Sequence, residues 1–330
     1  MATDFSDISR EGSPAITARL FAWGMLGFLF AFLVNNVLVV GFGMPGAKPI
    51  FQGGATGGSW ANLAVYIVSV ALAAFYVLST KATALRWDAM KIHKFNVYLI
   101  RAMFWAVLLV GIADCAIAFM RVEGILAGMF GEDTAKLFSK SRWVGPYIHI
   151  PLIASGFVVA LFTRTLGFTW LALMIVAAEL LIVISRFVFS YEQALMGDLV
   201  RYWYAALFLF ASAFTLFEEG HVRVDVLYAG FGRTTRGFVN AFGSIVLGMS
   251  TVWVILAVGF NGKTSIINSP IINLEISQAG GVGMFIKYQM AAFLGVFAIT
   301  MLIQFVSYFL EAVADKRDEP GHREVAPAAH

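Results

Sequence analysis

Residues 166–190 read LGFTWLALMIVAAELLIVISRFVFS, and only Glu179 and Arg186 interrupt the apolar run with charge. A hydrocarbon core about 30 Å thick needs roughly 20 apolar residues at 1.5 Å rise each, so this stretch fits one membrane crossing. Seven further stretches meet the same test: 20–40, 60–78, 97–120, 147–162, 199–216, 238–260 and 284–312, of which 147–162 is the shortest. The chain is 60% hydrophobic and 13% charged over 330 residues, with mean hydropathy +0.80, too apolar for a surface that meets water. Long uninterrupted runs, without the alternating ten-residue segments of a barrel, satisfy their backbone amides internally as helices. The expected fold is therefore all-α, a polytopic helical membrane protein of about eight spans with added interfacial helices.

The connections set orientation. The first nineteen residues carry Asp4, Asp7 and Glu11 against Arg10 and Arg19, unlike the basic start of a cleaved signal peptide, so the first span is expected to be retained. Counting Lys and Arg between spans gives thirteen on the face shared by both termini and six on the other, which places both termini in the cytoplasm. Four of the six contrary charges, Arg121, Lys136, Lys140 and Arg142, fall in the 121–146 connection. There Ile125, Leu126, Met129 and Phe130, then Leu137 and Phe138, recur at helical spacing and predict short interfacial helices. The 43–59 connection, with Pro45, Pro49 and several Gly, reads as an irregular loop, and the charged tail after Lys316 reads as disordered. Lys81, Arg86, Lys91 and Lys94 serve either as a topology signal or as contacts to anionic lipid headgroups. Cys115 is the single cysteine, so no intrachain disulfide exists, and it reads as an apolar filler.

Arg186-Phe187-Val188-Phe189-Ser190 closes the 166–190 span, and Asp198 and Arg201 come next. Past the next span stands Glu218-Glu219-Gly220-His221-Val222-Arg223-Val224-Asp225-Val226-Leu227. A polar stretch, 265–277, then carries Glu275 and Ser277 before Lys287 enters the last span. In order and separation these pieces resemble the small membrane subunit, the Q subunit, of TRAP (tripartite ATP-independent periplasmic) transporters, over roughly residues 166 to 313. Leu195 stands where that family usually has Trp, and Gly197 replaces the first of two acids, leaving Asp198 as the second. The chain thus divides into a four-span extension (1–165), a four-helix core (166–313) and a tail (314–330).

The resemblance implies a non-catalytic scaffold in a bacterial inner membrane. It would work with a large TRAP membrane subunit that binds Na⁺ and substrate, and with a periplasmic substrate-binding protein that delivers organic carboxylate anions. No cofactor is expected in this chain, Na⁺ being held by the large subunit. The residues expected to hold helices and subunits in register are Arg186, Asp198, Arg201, His221, Arg223, Asp225, Glu275 and Lys287. A stand-alone secondary transporter and a structural or lipid-binding membrane protein are the alternatives.

Charges within spans demand partners. Glu179 and Arg186 are seven residues apart, about 10 Å along a helix axis, too far to pair with each other. Arg101 and Asp114, thirteen apart, lie near opposite faces. Arg101 with Glu179, and Asp114 with Arg186, are the candidate cross-helix pairs. Asn35 and Asn36 read as interhelical hydrogen bonders, and Ser244 with Gly248 as a close-packing pair. Other chemistry is poorly supplied. Only His149 lies inside an expected span, so paired haem ligands are missing, and no second His neighbours His221 to complete a metal site with Glu218 and Glu219. The full glycine-rich phosphate loop of ATP-driven proteins is absent, and so is any nucleic-acid module.

The orientation is checked by thiol labelling. In a Cys115→Ala background, a cysteine at Ser139 is expected to react with an impermeant maleimide from the periplasmic side of intact cells; reaction only from the cytoplasmic side would show that an early span is miscounted.

Overall fold

The computed structural model describes residues 8–165, 167–218, 228–276 and 280–322. These residues form no strand, apart from one isolated bridge between Glu11 and Thr83. Among the described residues, eight helices are long and apolar enough to cross a membrane: α1 (Ile16–Gly41), α2 (Gly57–Ser79), α3 (Leu85–Val122), α4 (Ser141–Phe162), α5 (Phe168–Val188), α6 (Ala194–Phe217), α7 (Arg233–Gly259) and α8 (Lys287–Lys316). The chain is a multi-pass all-α protein, as the apolar runs require. Short helices Ile125–Phe130 and Glu132–Phe138 occupy the α3–α4 connection where the apolar spacing placed them. The Pro- and Gly-rich 43–59 connection contains one turn of 3₁₀ helix, Lys48–Gln52.

The largest difference from the sequence reading is the length of α3, which starts at Leu85 instead of 97. Hydropathy cannot find this start, because the added turns are polar. Arg86, Asp88, His93 and Asn96 are all buried there, each held by another part of the chain. The tail beyond Lys316 is likewise engaged as far as residue 322. Arg86 donates to the carbonyls of Pro320 (2.9 Å) and Glu319 (3.2 Å), and Arg317 donates to Ser13 Oγ (2.7 Å). Residues 323–330 lie outside the described part.

By contact the chain divides into two compact units. The first comprises Met1–Asn96, Ala213–Lys263 and Ala298–His330. In it, Gly27 of α1 lies so close to α2 that an added Cβ would sit 2.9 Å from the Ser69 carbonyl oxygen. Asn35 donates to the Asn62 carbonyl (3.0 Å), the interhelical role read from the sequence. Trp253 of α7 packs edge-on against Phe28 and Phe32. On the other side of α7, Gly248 accepts the ring of Phe305, where any Cβ would clash at 2.6 Å. Ser307 and Gln304 of α8 bond the Ala89 carbonyl (2.8 Å) and His93 (3.0 Å) on the first turns of α3.

Two ion-pair centres fix this unit. Arg19 and Asp88 are fully buried at 2.7 Å. Asp88 also accepts from Trp23 Nε1 (2.9 Å) and Tyr76 Oη (3.3 Å), while Arg19 donates to the Thr80 hydroxyl (2.9 Å) and carbonyl. Arg86 is buried against Glu311 (2.5 Å) and Asp315 (2.7 Å) near the end of α8. Cations near a helix C-terminus also complement its dipole.

The second unit comprises Val97–Ser212 and Thr264–Phe297. Here α3 is the common partner. Gly156 of α4 rests on its backbone, leaving a Cβ only 2.5 Å from Ala106 N, and Gly111 receives the Trp203 indole of α6. That indole donates to the Val107 carbonyl (3.2 Å), and Phe104 meets Phe168 of α5 and Phe210 of α6 edge-on. Small residues at these points permit the close backbone approach that membrane helices use.

Replacing Asp88 with Ala strands a buried guanidinium and should cost about 3–5 kcal/mol, seen as a clear fall in Tm of the detergent-purified protein. The double replacement Arg19→Leu, Asp88→Leu should recover most of that loss; equal destabilisation in single and double variants would deny the pair its role.

Candidate functional site

The densest buried polar cluster in the second unit begins at Asp114, fully buried on α3. One carboxylate oxygen accepts from the Phe285 backbone N–H (2.6 Å) and the other lies 3.1 Å from His149 Nε2. His149 Nδ1 lies 2.7 Å from Tyr288 Oη and 2.9 Å from Gln289 Nε2, and Tyr202 Oη donates to Gln289 Oε1. The cluster therefore links α3, α4, α6 and α8 through polar side chains alone. The π-helical turn Gly145–His149 at the start of α4 brings His149 into it.

A second carboxylate acts beside it. Asp198, buried on α6, accepts from the Met284 backbone N–H (3.0 Å). Asp114 and Asp198 thus take consecutive N–H groups of the non-helical segment that leads into α8, and negative charge close to a helix N-terminus suits its dipole. Seven residues beyond Asp114, Arg121 donates to the Gly281 and Gly283 carbonyls and lies 4.1 Å over the Phe285 ring. Two turns of α3, with Asp198 of α6, hold the entry to α8.

The expected site residues distribute unevenly over this arrangement. Asp198 belongs to it; Arg201, mostly exposed, sits 3.6 Å from Asp198 and donates to the Gly197 carbonyl (3.2 Å). Lys287 pairs with Glu275 at 2.8 Å across the entry segment. Arg186 is exposed and pairs with Glu192 at 3.4 Å. His221, Arg223 and Asp225 lie outside the described residues, as do Glu219 and Ser277.

The intramembrane charges find other partners than the candidate pairs. Arg101 donates to the carbonyls of Thr163 (2.7 Å) and Ala160 (3.3 Å), which the end of α4 leaves free. Asp114 takes His149 and a backbone N–H instead of Arg186. Glu179 is exposed at the middle of α5 and has no hydrogen-bond or ion-pair partner among the described residues. A charged group at a helix centre costs roughly 2.5–3.5 kcal/mol on insertion scales, so its exposure is not neutral. Sequence reasoning sought side-chain partners and overlooked backbone ones. The signal available was His149, the sole His inside a span expected from the sequence, together with the polar pair Tyr288-Gln289 at the start of another.

The architecture defines a multi-pass helical membrane protein whose polar interior joins helix ends. Residues 173–313 match the family model described as DctQ, Tripartite ATP-independent periplasmic transporters, DctQ component. No curated protein and no solved structure matches the chain. The matched range holds Asp198, Tyr202, Phe285, Tyr288 and Gln289, whereas Asp114, Arg121 and His149 precede it. The four helices ahead of the family range are an N-terminal extension, and α3 and α4 share the polar cluster with α6 and α8.

Substituting Asp114 by Leu should cost about 3–5 kcal/mol, because His149 and the Phe285 N–H both lose a buried partner. Asp114→Asn should cost less than half as much, since its carbonyl still accepts from Phe285. Thermal unfolding in detergent measures the order, and amide exchange over 282–288 should quicken in Asp114→Leu.

Proposed function

We propose that this chain is the small membrane subunit of a TRAP transporter, a scaffold in a bacterial inner membrane with both termini cytoplasmic, and not an enzyme or a transporter on its own. It supports a large membrane subunit that carries Na⁺ and substrate, which a periplasmic binding protein supplies, the substrate class being organic carboxylate anions. The observation that carries the reading is the DctQ match over 173–313. The polar geometry supports it: Asp88, Asp114 and Asp198 each hold a helix or helix entry of this chain, a structural use of carboxylates. On this reading Arg186, Arg201, Glu275 and Lys287, with His221, Arg223 and Asp225, act on helix and subunit register. Exposed Lys81 stands at the end of α2, where anionic headgroups would lie.

Reconstitution tests it. With an imposed Na⁺ gradient, liposomes holding this chain alone should accumulate no organic acid above empty liposomes, while addition of the large subunit and the loaded binding protein should start uptake. Uptake by this chain alone would establish the stand-alone transporter instead.

A further inference from the structure

Of the eight spans, α5 is the least buried within the chain. Leu171 and Ile175 face inward, but Val176, Leu180, Val183 and Phe187 are exposed, at 65, 58, 48 and 78%. Their spacing of three to four residues sets them in one stripe along the helix, and Glu179 lies on the same side. An apolar stripe alone would fit lipid. Glu179 does not: it is about 14 to 17 Å from the two ends of α5, beyond the reach of headgroup cations, and α5's own Arg186 is about 10 Å away and pairs with Glu192.

We propose that the stripe Val176, Glu179, Leu180, Val183 and Phe187 is the contact surface for a transmembrane helix of a different subunit. That helix presents a Lys, an Arg or another hydrogen-bond donor to Glu179 near mid-membrane depth. The proposal rests on the reading that this chain works beside a large membrane subunit, and it names where on this chain that subunit docks. Charge complementarity selects the occupant. A second copy related by a twofold axis along the membrane normal sets Glu179 against Glu179 at equal depth and brings no cation to that level. A foreign helix with a donor removes the mismatch, and the flanking Val and Leu side chains give it a surface to pack on.

The test co-expresses the full-length chain with the large membrane subunit in bacterial membranes, carrying the photo-crosslinker benzoyl-phenylalanine at Val176, Val183 or, turned away from the stripe, Leu181. The wild-type chain should recover the large subunit on purification. Probes at Val176 and Val183 should give an adduct with it, and the probe at Leu181 should give little. Glu179→Leu should lower recovery of the large subunit by about five- to thirtyfold, at unchanged abundance of the chain in the membrane, and Glu179→Gln should lower it less. Recovery of the large subunit without adducts at Val176 and Val183, adducts with a second copy instead, or unchanged recovery with Glu179→Leu would each overturn the docking surface and leave the scaffold reading standing. Failure of the wild-type chain to recover the large subunit would overturn both.

Discussion

A carboxylate inside a membrane helix must be satisfied without water, and Asp114 meets that constraint by binding distant parts of the chain together. Its two oxygens reach His149 on α4 and the Phe285 N–H ahead of α8, so one side chain fixes three segments. Asp198 takes the adjacent Met284 N–H, and Arg121 holds the carbonyls on the other side of the same segment. Non-helical backbone ahead of a helix exposes donors that hydrocarbon cannot satisfy, and here acids on neighbouring helices accept from them. The close contacts of the unit, Gly156 on Ala106 and Trp203 over Gly111, require glycine at those points, and the carboxylate bonds add a directional constraint to them.

The first unit solves the same problem with ion pairs. Arg19 with Asp88, and Arg86 with Glu311 and Asp315, place opposite charges at helix ends, where each also meets hydroxyl or carbonyl groups. Such centres specify geometry more than they add net stability, because desolvation offsets much of the attraction. Their sequence positions matter for the architecture. Arg19, Arg86 and Asp88 precede the DctQ range, whereas Glu311 lies inside it and Asp315 just beyond. The extension is therefore joined to the family helices by buried charge in one unit and by the Asp114 cluster in the other. On the scaffold reading, this makes the extra helices part of the supporting structure.

The eight spans and the helical class were legible in the sequence because hydropathy integrates over some twenty residues and tolerates local polar interruptions. The short helices at Ile125–Phe130 and Glu132–Phe138 were legible from apolar spacing, and the Asn35 contact from the cost of an amide in hydrocarbon. The same logic marked Arg101, Asp114 and Glu179 as groups in need of partners. It could not name those partners. Arg101 found the free carbonyls at Ala160 and Thr163, and Asp114 found a backbone N–H, neither of which has a sequence signature.

By itself, then, the sequence determined the membrane class, the number of spans among the described residues and the similarity of the last four to a transporter component, since each depends on composition or on order along the chain. Tertiary structure alone decided where α3 begins, that Glu319 and Pro320 of the tail are held by Arg86, and which residues close the polar cluster around His149. Each of those depends on groups brought together from distant positions, and a buried polar residue is stable only in the presence of a partner that the local sequence does not contain.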